Sequence, residues 1–172
     1  MAAHDLYDLL QEFFAACYAA LADTRGGQPE CAYVSEGPPS FDACPCLVAW
    51  IGGPAPAATF PMQPSQAEMQ RFQVGQVNLV SLTALSLRCA ATVGDDGILP
   101  QPPDHEAAAA EIADDMWAIW NHLIAGKRRG TLFAPKERNF ALEPTVALNP
   151  EGGAAGAQMT VRVELGGYDP FA

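Results

Sequence analysis

Two segments of the chain repeat apolar residues at the spacing of a helix that buries one face. The first runs from about Asp5 to Asp23 and is ended by Gly26 and Gly27. The second begins at Asp104, which we expect to be its N-cap, and ends at Gly126. The predicted buried stripes are Leu6, Leu9, Leu10, Phe13, Phe14, Cys17 and Leu21 in the first helix, and Ala109, Ile112, Met116, Ile119, Trp120 and Leu123 in the second.

Four further segments have the pattern of β-strands. Residues 44–51 form an apolar run, which is typical of a strand covered on both faces. Residues 76–92 form a long strand, and residues 159–165 alternate strictly between apolar and polar side chains. Residues 140–148 also alternate, but Pro144 interrupts them. Proline cannot donate to a sheet ladder, so this strand is predicted at an edge or at a bulge.

The segment between the first two strands predicts a long extended arm. Residues 52–76 are rich in Gly and Pro, and loops of this length are usually functional or disordered. They still contain Phe60, Met62 and Phe72, whose apolar side chains a neighbouring subunit could cover. The strand that follows would be about 50 Å long if unbroken, so we expect part of it to project from the sheet.

The order of these elements is helix, two strands, helix, two strands, within one domain spanning residues 1–172. Such an order favours an α+β layer. We predict a mostly antiparallel four-stranded sheet with both helices packed on one face, together with the extended loop or hairpin arm.

The composition limits the classes of partner. The formal net charge is −11, and a chain this acidic is poorly suited to gripping nucleic acid, which is bound through Lys and Arg. Acidity alone also fits ordinary solubility. The N-terminal sequence does not have the pattern of a signal peptide, and no run of residues is apolar for long enough to span a membrane. We therefore expect no membrane partner.

The five cysteines are expected to be reduced thiols. Their odd number argues against a closed disulfide framework, and Cys17 falls on the apolar stripe of the first helix. Cys44 and Cys46, with Cys31 upstream, are the best metal candidate. Zinc sites usually pair cysteines two to four residues apart, and here one residue separates them and a second pair is missing. Structural thiols are the favoured interpretation.

Catalytic motifs are missing from the sequence. The three histidines, His4, His105 and His122, have no Ser or Cys partner at a recognisable spacing, and no phosphate-binding glycine loop is present. The adjacent carboxylates Asp114 and Asp115 point about 100° apart on a helix, which does not suit acid–base catalysis. The sequence predicts neither an enzyme nor a cofactor.

The layout as a whole resembles the tail terminator proteins of long-tailed phages, most closely those infecting actinobacteria. The resemblance rests on the N-terminal helix, the long hairpin, the Trp-bearing helix Met116-Trp117-Ala118-Ile119-Trp120, and a final alternating strand ending near Gly166-Gly167-Tyr168. It covers most of the chain by order of elements. It implies a homo-hexameric ring that caps the tail tube, stops its growth and joins it to the connector of the head, with DNA passing through the lumen unbound.

In such a ring each subunit has two different contact surfaces, and two groups of residues are candidates for them. Phe60, Met62 and Phe72 would contact one neighbour, and the basic residues Lys127, Arg128, Arg129, Lys136 and Arg138 would meet an acidic surface of another. The basic stretch also has a simpler interpretation, because cations stabilise the C-terminal end of a helix. Two alternative functions remain open: another head–tail joining protein, such as a stopper or connector component, and a small cytoplasmic ligand-binding domain.

Overall fold

The computed structural model describes residues 3–39, 44–57, 60–61, 77–93, 99–133, 138–151 and 153–167. It contains two helices and a six-stranded mixed sheet. The helices are α1 (Ala3–Ala20), extended by a short 3-10 turn (Leu21–Asp23), and α2 (Pro102–Arg129). The strands are β1 (Cys31–Val34), β2 (Cys46–Ala57), β3 (Val77–Cys89), β4 (Phe140–Leu142), β5 (Val146–Glu151) and β6 (Ala154–Gly167).

The prediction of an α+β layer is confirmed, but the four-stranded sheet was too small. The strand order is β1-β2-β3-β6-β4, and β5 also pairs with β6. Only the pairing of β1 with β2 is parallel. Strand β1 is not among the predicted strands, because four residues are too short to show an alternating pattern.

The helices pack together on one face of the sheet. Their buried residues join alternate residues of the strands in an apolar core, which confirms the first predicted stripe. Of the second stripe, Ile119 and Leu123 lie in the core and Trp120 packs partly against it, whereas Ala109 is exposed and Ile112 and Met116 are half-buried outside it. Helix α1 contacts β1, β2 and β3, whereas α2 contacts β3 and β6. The core consists of Leu9, Leu10, Phe13, Cys17, Leu21, Leu47, Ala49, Val80, Leu82, Ala84, Ile119, Leu123, Leu132, Phe133, Phe140, Met159, Val161 and Val163.

The bounds of α2 differ from the prediction at both ends. Its N-cap is Gln101, and Asp104 is the third helical residue, whose carboxylate accepts the backbone N–H of Gln101 at 2.8 Å. Prolines in the first two helical positions need no hydrogen-bond partner for their nitrogens, which moves the start upstream. The helix continues to Arg129 and ends at Gly130, whose φ of 63° is left-handed.

The prediction of an extended loop over residues 52–76 was wrong for its first six residues. Residues 52–57 belong to β2, which pairs with β3 as far as Ala57 and Val77, with a register shift between Ile51 and Pro54. Strand β3 pairs with β6 over nearly its whole length as well. The described part of β3 therefore does not project from the sheet, because its backbone N–H and C=O groups are hydrogen-bonded to β2 on one side and to β6 on the other.

The predicted edge strand near Pro144 is confirmed as two short strands. Both β4 and β5 pair with β6, on the side away from β3. Between them Glu143 donates its backbone N–H to Thr160. The prolyl nitrogen, which has no proton to donate, thus falls in the gap between two segments of an edge.

The expectation of five reduced cysteines was wrong for four of them. Cys31 is bonded to Cys46 and Cys44 to Cys89, while Cys17 is a free, fully buried thiol. Pairing of β1 with β2 places Cys31 directly opposite Cys46, with Cα atoms 4.6 Å apart. That distance lies within the range of disulfides. The odd number of cysteines was a misleading argument against disulfides, because the one cysteine without a partner, Cys17, is a core residue.

Candidate interaction surface

The predicted interface residues have different environments. Phe60 is half-buried, and the carbonyl of the adjacent Pro61 accepts a hydrogen bond from Arg162 of β6 at 2.8 Å. Met62, Phe72 and Lys136 lie outside the described residues. The structure therefore places one residue of the apolar group beside the chain's own sheet, and the interface role of the group stays a prediction.

The basic residues do not form one patch. Lys127 donates to the backbone carbonyl of Phe140, and its ammonium lies 5.0 Å from the centre of that ring. It thus ties the end of α2 to β4. Arg128 and Arg129 are exposed in the last turn, and Arg138 is half-buried before β4. Within this basic stretch, Lys127 is held at the end of the helix, whereas Arg128 and Arg129 present positive charge at the surface.

A buried ion pair joins α2 to the sheet. Asp115 is fully buried, and Arg88 of β3 donates to both of its carboxylate oxygens, at 2.7 and 2.8 Å. Ser86 donates to the same carboxylate at 2.7 Å. Arg88 also donates to the carbonyls of Gly26 and Gly27, at 3.0 and 2.7 Å.

This network is structural, because its donors and acceptors satisfy one another within the core. Sequence analysis considered Asp115 only as the neighbour of Asp114 and gave it no partner. Two signals could have indicated the pair: Arg88 is the lone charge between Val77 and Cys89, and Asp115 stands four residues before Ile119 on the apolar stripe.

An apolar groove lies between the outer side of α2 and the edge of the sheet. It has a volume of about 350 Å³ and is open to solvent. We call it the α2 groove, and it is lined by Ala113, Met116, Trp117, Trp120, Pro144 and Thr145. Trp120 also packs partly against the core, whereas Trp117 is 68% exposed.

The segment Met116-Trp117-Ala118-Ile119-Trp120 therefore has side chains in two different environments. Ile119 is buried in the core, and Trp117 projects from the opposite side of the helix. Neighbouring Val146, on the edge strand β5, is 53% exposed. Aromatic residues are enriched at protein interfaces, so an exposed tryptophan in an apolar groove makes this surface a candidate for binding another protein.

Other chemistry is sparse in the described part of the chain. Among these residues no group of three or more His, Cys, Asp or Glu side chains could hold a metal ion, and no helix is long and apolar enough to cross a membrane. His105 and His122 are both exposed on α2. Burial raises the pKa of the Cys17 thiol, which leaves it a poor nucleophile.

Comparison of the sequence with protein-family models gave no match, and comparison with curated proteins gave none either. The functional argument therefore rests on the geometry of this chain.

Proposed function

We propose that this chain is a structural virion protein that assembles as a ring on the end of a phage tail tube, ends tube growth and joins the tail to the head connector. The observation that carries the proposal is the α2 groove, with Trp117 68% exposed on a helix whose other face is buried. Exposed aromatic residues are the side chains that most often anchor one subunit to another, which is the role proposed for this groove.

The distribution of side chains supports a binding role over a role in small-molecule chemistry. In the described part of the chain, the space between helices and sheet is filled by the apolar core and the Arg88–Asp115 pair. The α2 groove offers few of the convergent polar groups by which ligand pockets fix orientation. An apolar side chain projecting from another protein fits it better.

The net charge of −11 supports the same proposal. A ring around a DNA passage functions best when its surface does not hold the phosphate backbone, and acidic side chains repel phosphate. The ring, with six subunits as the resemblance implies, would contact the tail-tube protein on one side and the connector or stopper protein on the other.

The test is light scattering of the purified chain at several concentrations, with and without the tail-tube protein of the same virion. We expect a discrete ring, or a species that forms only with tube protein. Binding to the connector protein but not to tube protein would instead identify a stopper or connector component. A monomer that ignores both proteins would contradict the proposal.

A further inference from the structure

Helix α2 extends well beyond the part of it that packs against the sheet. Its buried residues begin at Asp115, and residues 102–107, in its first two turns, are exposed throughout. The helix rises about 1.5 Å per residue, so about 20 Å of it precedes Asp115. The chain itself therefore covers little of the N-terminal half of this helix.

A second apolar stripe follows the side of α2 that faces away from the core. It includes the residues of the helix that line the α2 groove and continues beyond them in both directions. Its members recur at spacings of three and four residues, as on one face of a helix, and none of them is fully buried. We call it the outer stripe, and it consists of Ala109, Ala110, Ala113, Met116, Trp117, Trp120 and Ile124.

Two opposite charges stand at equal distances from the middle of the outer stripe. Glu106 precedes Trp117 by eleven residues and Arg128 follows it by eleven, and both charged side chains are exposed. Each therefore lies about 16 Å from Trp117 along the helix and within about 20° of it around the axis. A second α2 that ran antiparallel to the first, centred on Trp117, would place Arg128 opposite Glu106 at both ends.

We propose that two copies of the chain form a two-fold dimer through an antiparallel pair of α2 helices centred on Trp117. The occupant of the outer stripe is a second copy because the C-terminal half of α2 carries the complement of its exposed N-terminal half. Ile124 of one copy meets Ala110 of the other, large against small, and each exposed charge meets an opposite one. The contact is isologous, since the same patch of both copies takes part.

This dimer goes beyond the proposed ring and does not depend on it. A two-fold contact closes at two copies, whereas a ring needs two different surfaces on each subunit. The dimer covers the α2 groove in the free chain, so it must separate before the groove can contact a neighbour in the ring. The dimer is therefore measured without tube protein, and the ring with it.

Reversal of the two charges tests the pairing directly. Glu106→Arg places two positive charges at each end of the helix pair, and Arg128→Glu places two negative charges there. Each variant alone is expected to dimerise at least about tenfold more weakly than the wild type, because like charges face each other twice. An equimolar mixture of the two variants is expected to form a one-to-one dimer, because opposite charges then meet at both ends.

The measurement is sedimentation equilibrium of the wild type, each variant and the mixture over a range of concentrations. Arg129→Glu is the matched control. It makes the same change of charge in the same turn, but Arg129 lies about 120° from Trp117 around the helix. This control is expected to dimerise like the wild type. Circular dichroism checks that each variant keeps its helices, because charges near the helix ends also interact with the helix dipole.

The other outcomes separate failure of the dimer from failure of the ring. A wild type that stays monomeric without tube protein, or forms a larger ring instead, overturns the dimer and leaves the proposed ring untouched. Single variants that dimerise like the wild type, or a mixture that associates no better than its components, overturn the pairing of Glu106 with Arg128. A dimer that passes these tests but binds neither tube nor connector protein contradicts the ring and keeps the dimer.

Discussion

Asp114 and Asp115 are adjacent in the sequence but have opposite environments. Asp115 is fully buried against Arg88, whereas Asp114 binds Arg25 at the surface, where their side chains are 40% and 69% exposed. In water the attraction between two charges is weak, and holding long side chains together costs entropy. Inside the core, removal of one partner leaves an uncompensated charge.

Replacement of these two aspartates should therefore give very different results. We expect Asp115→Asn to lower the free energy of unfolding by about 3–5 kcal/mol, because it leaves the Arg88 guanidinium buried without a counter-charge. The control Asp114→Asn should cost at most about 1 kcal/mol. Urea denaturation of both variants measures the difference, and equal losses would show that the buried pair is not as the structure has it.

At the scale of elements, β3 is the strand that holds the sheet together. It pairs with β2 on one side and β6 on the other, and its side chains face the helices on one face. The opposite face carries a second apolar cluster that includes Val48, Trp50 and Leu85. Burial on both faces explains why its sequence does not alternate simply between apolar and polar residues.

Because β6 lies close to β3, adding one methyl group at Gly156 should destabilise the protein. Gly156 stands opposite Leu87, and a Cβ there would lie 2.3 Å from the carbonyl oxygen of Ser86. We expect Gly156→Ala to destabilise the chain by about 1–3 kcal/mol, because backbone must move to make room.

The matched control for this substitution is Gly37→Ala, where no atom of the described residues, chain neighbours apart, lies within 4 Å of the added methyl group. Its effect should fall within about 0.5 kcal/mol, as for most surface changes. Thermal unfolding of the two variants and the wild type compares them. A Gly156 variant as stable as the control would mean that β3 and β6 are further apart than described.

On the scale of the whole molecule, the disulfides join the N-terminal part of the chain to the sheet. Cys31–Cys46 closes a loop of 15 residues and Cys44–Cys89 a loop of 45. Crosslinks of this kind stabilise chiefly by restricting the unfolded chain. The edge strand β1 has only four residues, so its attachment to β2 depends strongly on the first of them.

Reduction should accordingly lower the free energy of unfolding, by about 3 kcal/mol for the shorter loop and about 4 kcal/mol for the longer one. Urea titrations with and without reductant measure the total. In the double variant Cys31→Ser/Cys46→Ser, the response to reductant should shrink to that of the remaining bond. In the unreduced, unfolded chain only Cys17 should be alkylated, and alkylation of all five cysteines would contradict the prediction.

The sequence by itself determined the parts of this protein that depend on local pattern. Both helices, the first buried stripe, the long strand and the interruption at Pro144 follow from spacing, because a helix or strand face repeats along the chain. These features need no knowledge of which segments meet in space.

Only the tertiary structure decided which distant residues meet. The parallel strand β1, the partners of four cysteines and the Arg88–Asp115 pair depend on neighbours 15 to 45 residues away. The α2 groove is likewise formed where Trp117 on a helix meets Pro144 at a strand edge. Periodicity records which face of an element is apolar, but long-range pairing depends on the packing of all elements together, which no single segment encodes.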